Sequence, residues 1–154
     1  MVEKYKLLII DDEQSIHDSV KKIFHHKKET SSSGLFAGKK SVPEKEIDII
    51  SALSGEEGLN IYKSEKENGK TVDVVMCDMR MPGWDGWKTS VELATFDPEI
   101  LMFICTAFLD YNFDDLKNEI KLNHKLDLLP KPFEPKYLKE IIEVKLELAK
   151  TLQK

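Results

Sequence analysis

The 154-residue sequence lacks any apolar run near the roughly 18 residues that a membrane-spanning helix requires. It also lacks the apolar stretch and small-residue cleavage site of a signal peptide, so we expect a cytoplasmic protein that makes no membrane contact. A net charge of −5 argues against a broad nucleic-acid-binding face, because phosphate backbones are bound by clustered Lys and Arg. With 41% hydrophobic and 33% charged residues, residues 1–154 have the composition of a single globular domain.

Cysteine is scarce. The two cysteines, Cys77 and Cys105, each lie in an apolar run, and their spacing fits neither a zinc site nor a C-x-x-C redox pair. We therefore interpret both as buried thiols that pack as small hydrophobic side chains.

Short apolar runs alternate with helical patterns along the chain. Runs typical of buried strands cover residues 5–10, 47–53, 72–77, 100–105 and 126–129. Helical spacing, N-cap residues and turn-rich boundaries predict helices at about 14–27, 54–67, 87–96, 112–122 and 134–154. This alternation predicts a doubly wound α/β fold, in which a five-stranded parallel sheet is covered by helices on both faces.

One segment does not fit the alternation. Residues 28–45 are polar, small and charged, and they stand where a connection of about 2–6 residues is usual. We predict an inserted mobile surface loop. The alternative is a basic docking element, because five lysines lie in or beside this segment: Lys27, Lys28, Lys39, Lys40 and Lys45.

Residues with usable chemistry follow four of the five predicted strands. Asp11 and Asp12 follow the first strand, Asp78 the third, Thr106 the fourth and Lys131 the fifth. The carboxyl ends of parallel strands meet at one edge of a sheet, so we expect these side chains to converge. Two carboxylates at 4 Å repel by about 4 kcal/mol at an effective dielectric of 20, and a hard cation such as Mg²⁺ removes that repulsion.

This set of residues is what phosphoryl transfer onto an aspartate requires. Lys131 can pair with Asp78 or with a phosphoryl oxygen, and the Thr106 hydroxyl can bond such an oxygen. Taken singly, each residue has an ordinary structural interpretation as a turn residue, a strand former or a solvated surface charge. Their matching topological positions favour the functional interpretation.

Four segments resemble the signature segments of response-regulator receiver domains. They are Leu-Leu-Ile-Ile-Asp-Asp-Glu at 7–13, Val-Val-Met-Cys-Asp-Met-Arg-Met-Pro-Gly-Trp-Asp-Gly at 74–86, Ile-Cys-Thr-Ala at 104–107 and Leu-Pro-Lys-Pro-Phe at 129–133. The resemblance covers nearly the whole chain and implies a flavodoxin-like sheet in the order 2-1-3-4-5. It also implies a histidine kinase or phosphotransfer protein as the partner, and no enzymatic activity beyond self-catalysed phosphotransfer and slow dephosphorylation.

The same resemblance assigns roles to individual residues. It implies that Asp78 is the phosphoacceptor and that Asp12 binds Mg²⁺ directly, with Asp11 acting through water. The backbone carbonyl of Arg80 would be the other protein ligand. Thr106 and Lys131 would contact the phosphoryl group, and the bond from Lys131 to the following proline would be a cis peptide.

Two positions depart from, or modify, the family pattern. Receivers often carry Tyr or Phe three residues before the lysine, whereas this chain has Leu128, so we expect the readout to rest on Thr106 and backbone movement. We further expect the bulky Phe108, two residues after Thr106, to slow the access of water to a phosphorylated site.

The final helix carries two apolar rows: Tyr137, Ile141, Val144 and Leu148 in one, and Leu138, Ile142, Ala149 and Leu152 in the other. A helix that only lies on a sheet needs one stripe, so this wide arc favours contact with a second receiver or continuation into a coiled coil. The alternative is a broadly buried core helix. We expect a fused output domain beyond it, or else a stand-alone receiver.

Three other functions compete with the phosphoacceptor interpretation. A pseudo-receiver that binds a partner without phosphorylation stays open because of Leu128. A phosphatase of the haloacid dehalogenase type would need a second Asp two residues after Asp78, where this chain has Arg80. A flavin-binding relative would need a phosphate-cradling loop after the first strand, where Asp11–Glu13 would repel phosphate.

Overall fold

The five apolar runs form five parallel strands, and the five helical patterns form the helices between them. The computed structural model describes residues 3–25, 45–107, 112–120 and 126–152. In chain order the elements are β1 (Glu3–Ile10), α1 (Gln14–His25), β2 (Lys45–Ala52), α2 (Gly55–Glu67), β3 (Val74–Asp78), α3 (Gly86–Phe96), β4 (Met102–Thr106), α4 (Phe113–Ile120), β5 (Leu126–Pro130) and α5 (Pro135–Leu152).

All neighbouring strands pair in parallel, in the order β2-β1-β3-β4-β5. This confirms the predicted fold class and the strand order. The sheet order reverses between β1 and β3, which places the carboxyl ends of these two strands beside the crevice where ligands bind in such sheets.

Helices cover both faces of the sheet, and each face has its own hydrophobic core. Buried side chains of α2, α3 and α4 pack on one face, including Leu59, Leu93 and Leu116. Buried side chains of α1 and α5 pack on the other, including Val20 and Ile142. Every residue of β3 and β4 is buried, which explains why these strands read as continuous apolar runs.

The strand bounds differ from the predicted ones by one or two residues. The predicted third strand began at 72, whereas β3 begins at Val74. Just before Val74, the Asp73 carboxylate accepts the Lys6 N–H at 2.7 Å. A side chain therefore accepts this backbone hydrogen bond in place of a strand carbonyl. The predicted fourth strand began at 100, but the Ile100 N–H donates to the Asp97 carbonyl in a turn at 3.1 Å.

Helix starts follow their capping residues. The Ser54 hydroxyl accepts the Glu57 N–H, as the capping pattern predicted, and the Asp85 carboxylate accepts the Lys88 N–H at the start of α3. The predicted loop at 28–45 lies outside the described residues except for its last residue, which begins β2. No helix of the described ranges is long and apolar enough to cross a membrane.

The two cysteines pack as predicted. Both are free and buried, Cys77 in the core under α2–α4 and Cys105 in the core under α1 and α5. Burial raises the pKa of both thiols, so neither is a ready thiolate.

The two apolar rows predicted for α5 differ in burial. Leu138, Ile142, Leu146 and Ala149 line the core. Tyr137 is 50% exposed and Val144 is 70% exposed, beside a groove of about 460 Å³ between β5 and α5. The same row also holds Ile141, which packs against the core, and the half-buried Leu148, so the row is partly buried and partly exposed.

Candidate functional site

Three carboxylates meet at the carboxyl ends of β1 and β3. One oxygen from each of Asp11, Asp12 and Asp78 lies within 4.8 Å of the others. Asp11 is 2% exposed and Asp78 is 9% exposed, whereas Asp12 faces solvent. The cluster is therefore a partly buried acidic pocket that opens to water on one side.

Lys131 follows β5, and its side chain reaches past the end of β4 to the acidic cluster. Its Nζ donates to Oδ2 of Asp11 at 2.8 Å and to Oδ1 of Asp78 at 3.0 Å. The Lys131 backbone N–H donates to the Thr106 carbonyl at 3.1 Å, which anchors the lysine to the end of β4. The bond from Lys131 to Pro132 is cis, as the resemblance implied.

The two ion pairs keep Lys131 charged. Desolvation lowers the pKa of this lysine, but the hydrogen bonds and charges of Asp11 and Asp78 outweigh burial, and the pKa is raised. A permanent cation thus stands within hydrogen-bond distance of the Asp78 carboxylate.

The surroundings of Asp78 disfavour the ionised form of its carboxyl group. Its pKa is raised chiefly by burial and further by the charges of Asp11 and Asp12, while Lys131 opposes the rise. An arriving cation would favour the ionised carboxylate.

The β1–α1 connection is fixed at Asp11 on several sides. The Asp11 N–H donates to the Ala52 carbonyl at 3.1 Å, and Oδ1 of its carboxylate accepts the Glu13 N–H at 2.9 Å. The Asp11 carbonyl lies 2.7 Å from Nε2 of His17, which is fully buried on α1. Sequence reasoning missed His17, although a signal exists: it is a polar residue three positions before Val20, on the apolar face of α1.

Glycine brings α3 close to the end of β3. The Gly86 N–H donates to the Met79 carbonyl at 2.8 Å. A Cβ at Gly86 would lie 2.4 Å from the Asp78 carbonyl oxygen and 2.6 Å from Cα of Met79, which are backbone atoms that would have to shift. The absence of a side chain there lets the β3–α3 connection turn tightly behind Asp78.

The remaining predicted residues are placed as follows. Thr106 ends β4 and is 7% exposed, one residue after Cys105, which pairs with Asp78. Arg80 lies two residues after Asp78 in the β3–α3 connection, with an exposed side chain. Leu128 pairs with Ile104 in the sheet and packs against the core under α2–α4.

The prediction for Phe108 lies outside the described residues.

The acidic cluster of Asp11, Asp12 and Asp78 fits a hard divalent cation, because all three side chains offer carboxylate oxygen. Mg²⁺ prefers such ligands, and thiolate or imidazole ligands that would favour zinc are not among them.

Comparisons with known proteins identify the family to which this fold belongs. The profile of the family described as "Response regulator receiver domain" matches residues 35–143. That range includes Asp78, Thr106 and Lys131, whereas Asp11 and Asp12 precede it. A probable transcriptional regulator, ycf27, of Porphyridium aerugineum is 33% identical over 137 residues, which cover 89% of this chain and 46% of that protein. The chain thus spans about half the length of this curated relative.

Solved structures show the same fold. A receiver domain protein from Clostridium thermocellum is 25% identical, with a TM-score of 0.68, and the match covers 96% of this chain and 98% of that one. A CheY-like receiver domain protein from Methanospirillum hungatei JF-1 is 21% identical, with a TM-score of 0.68 and coverage of 97% and 98%.

Proposed function

The chain belongs to the response-regulator receiver family, and from this premise we propose that Asp78 accepts a phosphoryl group from a histidine kinase or phosphotransfer protein. The observation that carries the proposal is the convergence of Asp78 with Lys131, Asp11 and Asp12 at the sheet edge. A receiver is not a conventional enzyme; the only chemistry proposed is self-catalysed phosphotransfer and slow loss of the phosphoryl group. We propose the cytoplasm as its compartment, in keeping with two free buried thiols.

In the proposed transfer, a carboxylate oxygen of Asp78 attacks the phosphorus of the donor. The phosphorus–nitrogen bond of the donor phosphohistidine breaks, the nitrogen keeps the electron pair, and the departing imidazole takes a proton from solvent. Lys131 holds Oδ1 of Asp78 at 3.0 Å, which orients the carboxylate and leaves Oδ2 for the attack.

The charges of the site then favour the product. Lys131 exchanges its bond with Asp78 for a bond with a phosphoryl oxygen, and the Thr106 hydroxyl donates to another. Asp11, Asp12, Asp78 and the carbonyl of Arg80 are the groups proposed to hold Mg²⁺, which when bound neutralises phosphoryl charge. Movement of Thr106 and the β4 end is the proposed switch, because Leu128 offers no aromatic ring to move with it.

The output is proposed to lie outside this domain. The similar protein from Porphyridium aerugineum is named a probable transcriptional regulator and is about twice as long as the part matched here. We propose that this receiver likewise controls a fused output domain and does not itself bind nucleic acid.

A second copy of the chain is the proposed partner of the exposed part of this α5 row. Tyr137 and Val144 stand beside the groove between β5 and α5 as large exposed hydrophobic side chains. Sedimentation of the protein with and without beryllofluoride and Mg²⁺ tests this. We expect a dimer that Val144→Asp abolishes and the exposed Lys136→Asp preserves; a monomer under all conditions would contradict it.

The test of the central proposal is the intact mass of the protein after incubation with acetyl phosphate and Mg²⁺. We expect one added phosphoryl group on the wild type, and none with EDTA or on Asp78→Asn. The matched control is Asp85→Asn, which keeps an N-cap residue at α3 and changes a nearby carboxylate outside the cluster. No adduct on folded wild-type protein would favour the pseudo-receiver alternative.

A further inference from the structure

His17 makes one hydrogen bond to the acidic cluster from inside the core. Its side chain is 0% exposed, and its Nε2 lies 2.7 Å from the carbonyl oxygen of Asp11. A carbonyl oxygen only accepts hydrogen bonds, so Nε2 carries the hydrogen and donates it. The His17 imidazole on α1 thus donates a hydrogen bond to the backbone of Asp11, whose carboxylate belongs to the acidic cluster.

That carbonyl is part of the peptide bond between Asp11 and Asp12. A peptide unit is planar, so fixing its oxygen also fixes the position of the Asp12 Cα. On the other side, the Asp11 N–H is held by the Ala52 carbonyl at 3.1 Å. Ala52 of β2 therefore fixes the peptide unit before Asp11, and His17 of α1 fixes the peptide unit after it.

Packing alone does not account for an imidazole at this position. Nδ1 of His17 is buried and has no hydrogen-bond partner among the described residues. Burying a polar nitrogen without a partner is unfavourable, and a leucine would fill the same space without that cost. What histidine provides and leucine does not is the Nε2–H donated to Asp11.

We propose that His17 is a positioning residue of the cation site. By holding the Asp11–Asp12 peptide, it presents both carboxylates toward Asp78 while making no contact with the ion itself. The inference rests on the proposed function, since it assumes that the acidic cluster binds Mg²⁺. Groups that orient metal ligands typically change metal affinity by about 10- to 100-fold when they are removed.

The test is calorimetric titration of the full chain with Mg²⁺ alone, at one fixed pH. We expect His17→Leu to weaken Mg²⁺ binding by about tenfold or more. His17→Gln places an amide N–H near the position of Nε2 and is expected to restore most of the affinity. His17→Asn, with the same amide on a shorter side chain, is not.

Stability is measured separately, by urea unfolding in EDTA, so that misfolding is not mistaken for lost positioning. The matched control is Val20→Ala, which removes buried volume from the same face of α1 and leaves the contact with Asp11 in place. We expect Val20→Ala to lower stability and keep wild-type Mg²⁺ affinity. If His17→Leu does not fold, the contrast between the Gln and Asn variants decides the question.

Equal Mg²⁺ affinity in wild type, His17→Leu and His17→Asn would overturn the positioning role while leaving the proposed function intact. Equal weakening in His17→Gln and His17→Asn would also overturn it, because the donor would then be irrelevant. If the wild type itself fails to bind Mg²⁺, the proposed function and this inference both fall.

Discussion

Replacing Lys131 with methionine removes a cation that bonds to two carboxylates of the cluster at once. The lysine side chain is 15% exposed, and its Nζ lies 2.8 Å from Asp11 and 3.0 Å from Asp78. At an effective dielectric of 20, each contact is a gross attraction of about 5–6 kcal/mol. Most of this offsets the desolvation of the three charges, and removing one partner of such a buried pair typically costs 3–5 kcal/mol.

We therefore expect Lys131→Met to lower the free energy of unfolding by about 3 kcal/mol in EDTA at neutral pH, a fall in Tm of roughly 6–12 °C for this size of domain. Urea unfolding followed by circular dichroism measures the loss. The control is Lys136→Met, which removes an exposed lysine from α5 and should change stability by less than about 0.5 kcal/mol.

The loss should also depend on pH with a definite sign. The pKa of Asp78 is already raised in the folded protein, chiefly by burial, and removing Lys131 raises it further. A raised carboxyl pKa gives stability that is present below the unfolded-state value and lost as pH rises through the folded-state value. The deficit of Lys131→Met should therefore shrink on acidification; an equal deficit at acid and neutral pH would refute the electrostatic account.

Three further substitutions test other parts of the structure. Gly86→Ala places a Cβ 2.4 Å from the Asp78 carbonyl oxygen and 2.6 Å from Cα of Met79, so we expect a loss of about 3 kcal/mol in urea unfolding and slower phosphorylation. Asp78→Asn removes a buried carboxylate whose pKa is raised chiefly by burial, and should raise Tm in EDTA at neutral pH, with a smaller gain in acid. Tyr62→Phe removes a hydroxyl that donates to Asp97 at 2.6 Å. Burial raises the pKa of Asp97, but this hydrogen bond and others outweigh burial, and the pKa is lowered. We therefore expect Tyr62→Phe to lower the free energy of unfolding by about 2 kcal/mol at neutral pH. This loss should fade as pH falls below the usual carboxyl pKa of 3.8, because Asp97 then becomes protonated.

The sheet and the acidic cluster could be predicted because each depends on local sequence patterns. β3 and β4 are buried on both faces, so they appear as uninterrupted apolar runs whose ends are easy to see. Once the strands are parallel, Asp78 and Thr106 must fall at one edge, because both are the last residues of their strands.

The contacts around the cluster could not be predicted in the same way. The bond from Lys131 to Asp11 joins residues 120 positions apart, and its pairing with two carboxylates at once depends on side-chain geometry across β4. The role of His17 could not be predicted because hydrophobic periodicity identifies apolar faces and does not distinguish a functional polar residue on such a face from an ordinary exception to the pattern. The start of β3 was missed because Asp73 bonds a backbone donor through its side chain, which apolar patterning does not reveal.

The proposed function is tested most directly by identifying the residue that carries the phosphoryl group. Borohydride reduces an aspartyl phosphate to homoserine, and tandem mass spectrometry of the resulting peptides locates the converted position. After treatment with acetyl phosphate and Mg²⁺, we expect homoserine at position 78, and none when EDTA replaces Mg²⁺. Homoserine at Asp11 or Asp12, or conversion of Asp78 that is independent of Mg²⁺, would contradict it.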